Sequence, residues 1–78
     1  MRPVSLTQLK WMCRRGMLEL DFLLEQFLNR GYTRLSEADQ ALFVELLDEP
    51  DPMLFAWLMG HESPDARFQN LILVIRKS

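Results

Sequence analysis

Apolar residues recur along this chain at helical spacing, and nowhere do they alternate with period two long enough to make a paired sheet. That periodicity restricts the fold to packed helices. Leu20, Leu23, Leu24, Phe27 and Leu28 fall at i, i+3, i+4, i+7 and i+8, the buried stripe of an amphipathic helix. Phe68, Leu71, Ile72 and Ile75 repeat the stripe near the C-terminus. Leu42, Phe43, Leu46 and Leu47 supply a third, and Leu54, Trp57 and Leu58 a shorter fourth. The run Leu71-Ile72-Leu73-Val74-Ile75 has strand propensity, but no partner strand exists elsewhere, so the helical reading stands.

Prolines, glycines and capping residues divide these stripes. After Pro3, Ser5 with Gln8 three residues on forms a capping box that opens a first helix reaching to about Arg14. Gly16 marks a junction, and Gly31 is placed to end the second helix in a left-handed conformation. Ser36 caps a third helix whose first turn holds Glu37 and Asp39, where carboxylates favour the positive helix end. Asp48-Glu49-Pro50 closes it. Asp51 as N-cap and Pro52 as first helical residue start a fourth helix that Gly60 ends, and Ser63-Pro64 gives the same start signal for a fifth. The expected architecture is all-α, a compact bundle of five short helices, with residues 1–78 forming one domain.

Composition narrows the function classes. Nine basic against eleven acidic residues give a net charge of −2, with no basic excess for nucleic acid and no polybasic cluster for an anionic membrane. Hydrophobic residues make up 49% of the chain, too many for a disordered segment. No apolar run approaches the roughly 18 residues that span a bilayer, and neither a secretory nor a transit-type segment precedes Leu6. The expected setting is a reducing, bacterial-type cytoplasm. Cys13, the single cysteine, has no partner for a disulfide or a metal site and reads as a small buried hydrophobe. His61, the single histidine, follows a helix-ending glycine and has no second ligand or nucleophile at useful spacing. Glu45, Asp48, Glu49 and Asp51 lack the spacing of a calcium loop and read as a solvated face plus a helix cap. No glycine-rich phosphate loop is present, and 78 residues leave no room for a dinucleotide-binding fold, so no cofactor is expected to be held by the chain itself.

One run has no obvious structural purpose. Arg14-Arg15-Gly16-Met17-Leu18-Glu19 places two cations, a glycine and a carboxylate inside a leucine-rich helical sequence. An interior glycine costs a helix roughly 1 kcal/mol relative to alanine, which suggests a break or a close approach of backbone. If helical phase held through Gly16, Arg15 and Glu19 would be neighbours on one face. They then read either as a surface ion pair or as a docking patch, Arg15 offering a planar fork of donors and Glu19 acceptors. Trp11 and Tyr32 flank the run in sequence and read either as core or as the rim of such a patch.

Arg15, Gly16 and Glu19 form the RGxxE signature of the succinate dehydrogenase assembly factor 2 family, the flavinylation factors, which the chain resembles from about Leu9 to Leu73. Trp11-Met12-Cys13-Arg14 leads into the signature and Leu20-Asp21 follows it; Tyr32 with Leu35, and Phe43 with Leu46-Leu47, fit the middle of the family pattern. Asp51-Pro52 followed by Leu54-Phe55-Ala56-Trp57-Leu58 is a second specific block. The resemblance implies a five-helix assembly factor, not an enzyme. Such a factor binds the flavoprotein subunit of succinate dehydrogenase, and in bacteria also that of fumarate reductase, and promotes covalent attachment of FAD to a histidine of that subunit. It implies that Arg15, Gly16 and Glu19, with Arg14, Trp11 and Tyr32 around them, meet the partner, while the FAD belongs to the partner. A monomer is expected, with a weak dimer through an apolar patch at Trp11 and Phe55 as the other state. Two rival readings are an antitoxin-like regulatory module acting on an unrelated protein, and a flavin transferase in which Glu19 or His61 moves protons.

Overall fold

A computed structural model describes residues 5–77 as five α-helices and two 3-10 turns, with no strand among the described residues. Helix α1 is Leu6–Met12, α2 Leu18–Arg30, α3 Glu37–Leu46, α4 Asp51–Leu58 and α5 Gln69–Lys77. The 3-10 turns are Tyr32–Arg34, between α2 and α3, and Ala66–Phe68, leading into α5. Pro3, ahead of the first cap, lies outside the described residues.

The long helix α2 is the centre of the bundle, touching α1, α4 and α5 as well as the 3-10 turn that follows it. Its stripe of Leu20, Leu24, Phe27 and Leu28 is buried, and it meets Leu9 of α1, Phe43 and Leu46 of α3, Leu54 of α4 and Ile72 and Ile75 of α5 in one core. Aromatic rings tie the layers together: Phe27 and Phe43 have centroids 5.4 Å apart, and Trp57 and Phe68 5.9 Å. Such tilted pairs add about 0.5–1.5 kcal/mol beyond the area they bury. Among the described residues no polar or charged residue is buried, so the core depends on apolar burial. The Cα radius of gyration, 11.4 Å, matches the roughly 11.5 Å expected for a well-packed chain of this length.

Most boundary signals act as read. Ser5 and Gln8 form both arms of the capping box, each backbone N–H lying 3.2 Å from the other's side-chain oxygen. The Ser36 hydroxyl accepts from Asp39 N–H at 3.2 Å. Gly60 ends α4 with φ +79°, and His61 N–H reaches back to the Ala56 carbonyl at 2.8 Å.

Four expectations need correction. Helix α1 stops at Met12 rather than Arg14, with Cys13 as its C-cap. Gly31 is not left-handed; its φ is −117°, and the chain runs on into the 3-10 turn. A glycine is needed there for a different reason, because a Cβ would lie 2.5 Å from the Phe27 ring. Asp51 is the first residue of α4 rather than its cap; Pro50 holds the cap position, and the Asp51 carboxylate turns instead toward Arg15. Finally, Ser63-Pro64 does not start α5. The chain stays extended at Asp65 and turns through Ala66–Phe68, which delivers Phe68 into the core against Trp57 before the helix proper begins at Gln69.

Candidate functional site

The α1–α2 junction is built by a carboxylate and a left-handed glycine. Helix α2 has no side-chain cap at Met17. Asp21, one turn inside α2, instead ties down the backbone ahead of the helix: its Oδ1 accepts from Arg15 N–H at 2.6 Å and its Oδ2 from Gly16 N–H at 3.2 Å. A carboxylate there also suits the positive end of α2. Gly16 turns the chain with φ +82°, a conformation that costs an L-residue about 1–2 kcal/mol. The geometry therefore breaks helical phase between Arg15 and Glu19, and the two side chains go different ways.

Arg15 turns inward. Its side chain is 17% exposed, and one terminal nitrogen donates to the carbonyls of Leu47 and of Glu49, the latter at 3.2 Å. Leu47 is the C-cap of α3, where orphan carbonyls and the negative helix end favour a cation. The Arg15 Nε lies 3.3 Å from Asp51 Oδ1, close enough to pair electrostatically but without the alignment of a hydrogen bond. Arg15 thus braces the junction against the α3–α4 corner. Glu45 and Asp48 of the acidic cluster are exposed as read, but two of its members are paired: Asp51 with Arg15, and Glu45 with Arg67 at 3.6 Å.

The other residues around Gly16 point outward. Arg14 and Glu19 are exposed, and Trp11 is 69% exposed. Leu18 and Phe22, one turn apart on the outer face of α2, are 87% and 64% exposed. Glu19 and Phe22 are three apart and share that face. Together Leu18 and Phe22 put apolar surface on the outer side of α2, the kind of patch that marks an interaction site when it is contiguous. Both lie outside the buried stripe; their signal in the sequence is a second apolar pair at i, i+4 on the opposite side of the same helix. Between α1 and α2 lies an open groove of about 340 Å³, lined by Lys10, Trp11, Arg14, Asp21 and Glu25 among others.

Tyr32 is not brought to this group. It follows α2, roughly 20 Å of helix away from Gly16, and is half-buried with its ring 5.5 Å from that of Phe43. Its carbonyl accepts from the Gln40 side chain at 3.0 Å. Phe55 is partly buried beside the core, with the exposed His61 ring edge-on to it at 5.9 Å. Cys13 is buried, and burial pushes its thiol up to about 11, the Arg15 charge opposing and the Glu25 and Asp21 charges adding to the rise. A thiol in that state is not a nucleophile near neutral pH. Among the described residues, no three of His, Cys, Asp and Glu gather at a metal-binding distance, and no helix is long and apolar enough to cross a membrane.

What this arrangement can do is bind a protein. It offers two aromatic rings, a leucine, a guanidinium and a carboxylate around a glycine turn whose missing side chain leaves open space. Comparison with known proteins shows the family. A family model described as "Flavinator of succinate dehydrogenase" matches residues 7–78. The chain is 42% identical over 76 residues to the FAD assembly factor SdhE of Coxiella burnetii, covering 96% of this chain and 93% of that protein. It is 44% identical over 77 residues to the FAD assembly factor SdhE of Shewanella oneidensis, covering 97% and 94%. To that of Legionella pneumophila strain Paris it is 47% identical over 70 residues, covering 90% and 89%.

Proposed function

The chain belongs to the family of flavinators of succinate dehydrogenase, and from that membership we propose how its α1–α2 face does the work. The protein is an assembly factor that promotes attachment of FAD to the flavoprotein subunit of succinate dehydrogenase. It acts without catalytic groups of its own: the flavin and the histidine that bonds to it both belong to the partner. The factor binds the FAD-loaded subunit and holds its mobile parts where the two reacting groups meet, which is acceleration by orientation supplied from a second chain. The flavoprotein subunit of fumarate reductase is a further partner of the same face.

In this reading Trp11, Arg14, Gly16 and Glu19 contact the partner, together with Leu18 and Phe22. The aromatic and leucine side chains supply buried area, and Arg14 and Glu19 set the register through charge-assisted hydrogen bonds. Arg15 is a positioning residue, since its fork is engaged within the bundle. Tyr32 is left outside the contact set by its distance along α2. The encounter belongs in the bacterial cytoplasm, a placement supported by bacterial relatives and a buried, unpaired thiol. The observation that carries the reading is the exposure of Trp11, Leu18 and Phe22 around a left-handed glycine turn in a chain of this family.

Covalent flavin in the flavoprotein subunit, read as fluorescence on a denaturing gel, tests it. Cells with the gene intact, deleted, and carrying Glu19→Ala are compared. The signal falls in both altered strains; an unchanged signal on deletion overturns the assigned activity. Titrating FAD against the isolated protein separates the flavin-transferase alternative, which requires tight binding with quenched flavin fluorescence.

A further inference from the structure

At the end of α2 opposite to Gly16, the last turns of α2 and α5 and the first 3-10 turn surround a shallow concavity of about 830 Å³. Arg30, Arg34 and Lys77 line it, with Phe27, Leu35 and Val74 contributing apolar surface, and no Asp or Glu is among the described lining residues. Neither ion pair found among the described residues uses these three cations, although the chain carries a net charge of −2. Each cation sits in the last turn of its element, where it complements the negative helix end. That accounts for each one singly. It does not account for three of them lining one apolar surface with no carboxylate side chain among the described lining residues.

We propose that this concavity docks an extended acidic segment of a partner polypeptide, its carboxylates on Arg30, Arg34 and Lys77 and an apolar side chain on the surface between them. Charge complementarity selects the sign of the occupant, and the mixed lining selects its form. Guanidinium forks bind carboxylates bidentately, and the apolar surface favours a chain over a bare ion. A compact phosphate is disfavoured here, because the elements present their carbonyl ends rather than the N–H groups that make an anion cradle. Three cations also fall short of the cluster of four to eight that marks an anionic lipid surface. The surface is separate from the Gly16–Glu19 face, so both can be occupied at once, and its test does not depend on flavinylation.

The full chain, isotopically labelled, is titrated with a short blocked peptide alternating Glu and Val while backbone amide shifts are followed. Amides of residues 30–35 and 74–77 are expected to move, and raising the salt from about 0.01 M to about 0.15 M weakens the binding. All three cationic side chains are exposed, so the triple variant Arg30→Gln, Arg34→Gln, Lys77→Gln should fold as the native chain does and lose about tenfold in affinity. Glu19→Ala should bind the peptide normally while losing flavinylation, which separates this surface from the docking face. Absence of shifts, or shifts confined to the groove beside Lys10 and Arg14, overturns the proposal. So does equal competition by inorganic phosphate, or capture of the protein by anionic vesicles with no response to the peptide.

Discussion

The Arg15 guanidinium reaches away from its own helix junction to Asp51, its Nε 3.3 Å from Oδ1, and donates to two carbonyls of the α3–α4 corner on the way. A residue so held is expected to act on stability first. Arg15→Ala leaves the Leu47 and Glu49 carbonyls without their donor and should cost about 1–3 kcal/mol. Arg15→Lys keeps the charge near the end of α3 but loses the fork, and should cost about half as much. Asp51→Ala should cost under about 1 kcal/mol, since the Asp51 side chain is 36% exposed and its pair is screened. Denaturant midpoints of the three variants check the order.

Glu19 should behave in the opposite way. It is exposed on the outer face of α2 and takes part in neither ion pair among the described residues. Glu19→Ala is expected to leave stability within about 0.5 kcal/mol of native while covalent flavin in the partner falls. Measuring both quantities on one preparation separates the two charged ends of the motif: Arg15 variants lose stability and activity together, Glu19 variants lose activity alone. A Glu19→Ala protein that unfolds as readily as Arg15→Ala removes this distinction.

The sequence showed the helices because their signals are local. The stripe from Leu20 to Leu28, the capping box at Ser5 and Gln8, and the cap at Ser36 each depend on spacing within a turn or two. The errors arose where a distant group decided. Asp51 gave up its cap position to face Arg15, and Gly31 owes its identity to the Phe27 ring rather than to its own φ. The motif was legible as a motif, but not its division of labour. Spacing made Arg15 and Glu19 a pair, whereas the carbonyls that hold Arg15 lie 32 and 34 residues away and leave no trace in local periodicity. Asp21 was visible only as a residue of a family pattern, and its grip on two consecutive backbone N–H groups emerges once the turn at Gly16 is known.

Burial of Cys13 predicts a pH dependence. The thiol titrates at about 11 in the folded chain against an ordinary 9.0, chiefly because burial disfavours the thiolate. Between those values the unfolded state has released its proton and the folded state has not, so stability declines as pH rises. The contribution is fully present below pH 9 and is lost as pH passes about 11, amounting to roughly 2–3 kcal/mol. The measurement is the difference between native chain and Cys13→Ala in denaturant unfolding at several alkaline pH values, which isolates the thiol. Native protein should also resist alkylation at neutral pH, reacting only as fast as it opens.

Leu18 and Phe22 carry the prediction about affinity. With 87% and 64% of their surfaces open, Leu18→Ser and Phe22→Ser remove little from the core and should leave the unfolding midpoint nearly unchanged. If they are buried by the flavoprotein subunit, each substitution should weaken binding by about fivefold or more, the effect of losing one anchoring contact. Isothermal titration against the purified subunit reads this directly. Met53 is a control, apolar and 40% exposed but in α4, and Met53→Ser should leave affinity alone.

Gly16 has two separable properties, a left-handed backbone and a missing side chain. Its φ is +82°, and a Cβ placed there meets nothing within 4 Å of the chain itself. Gly16→Ala should therefore cost about 1 kcal/mol in stability through backbone strain alone, with no steric clash inside the bundle. A D-alanine at the same position, introduced by chemical synthesis, adopts positive φ without that strain and should unfold no more easily than the native chain. It still places a methyl group on the outer surface. If the partner's backbone packs against this turn, both proteins should bind the flavoprotein subunit more weakly, and the D-alanine form will do so at undiminished stability. Full binding by the D-alanine protein would mean that the glycine serves the turn only, and that close approach at this point plays no part in docking.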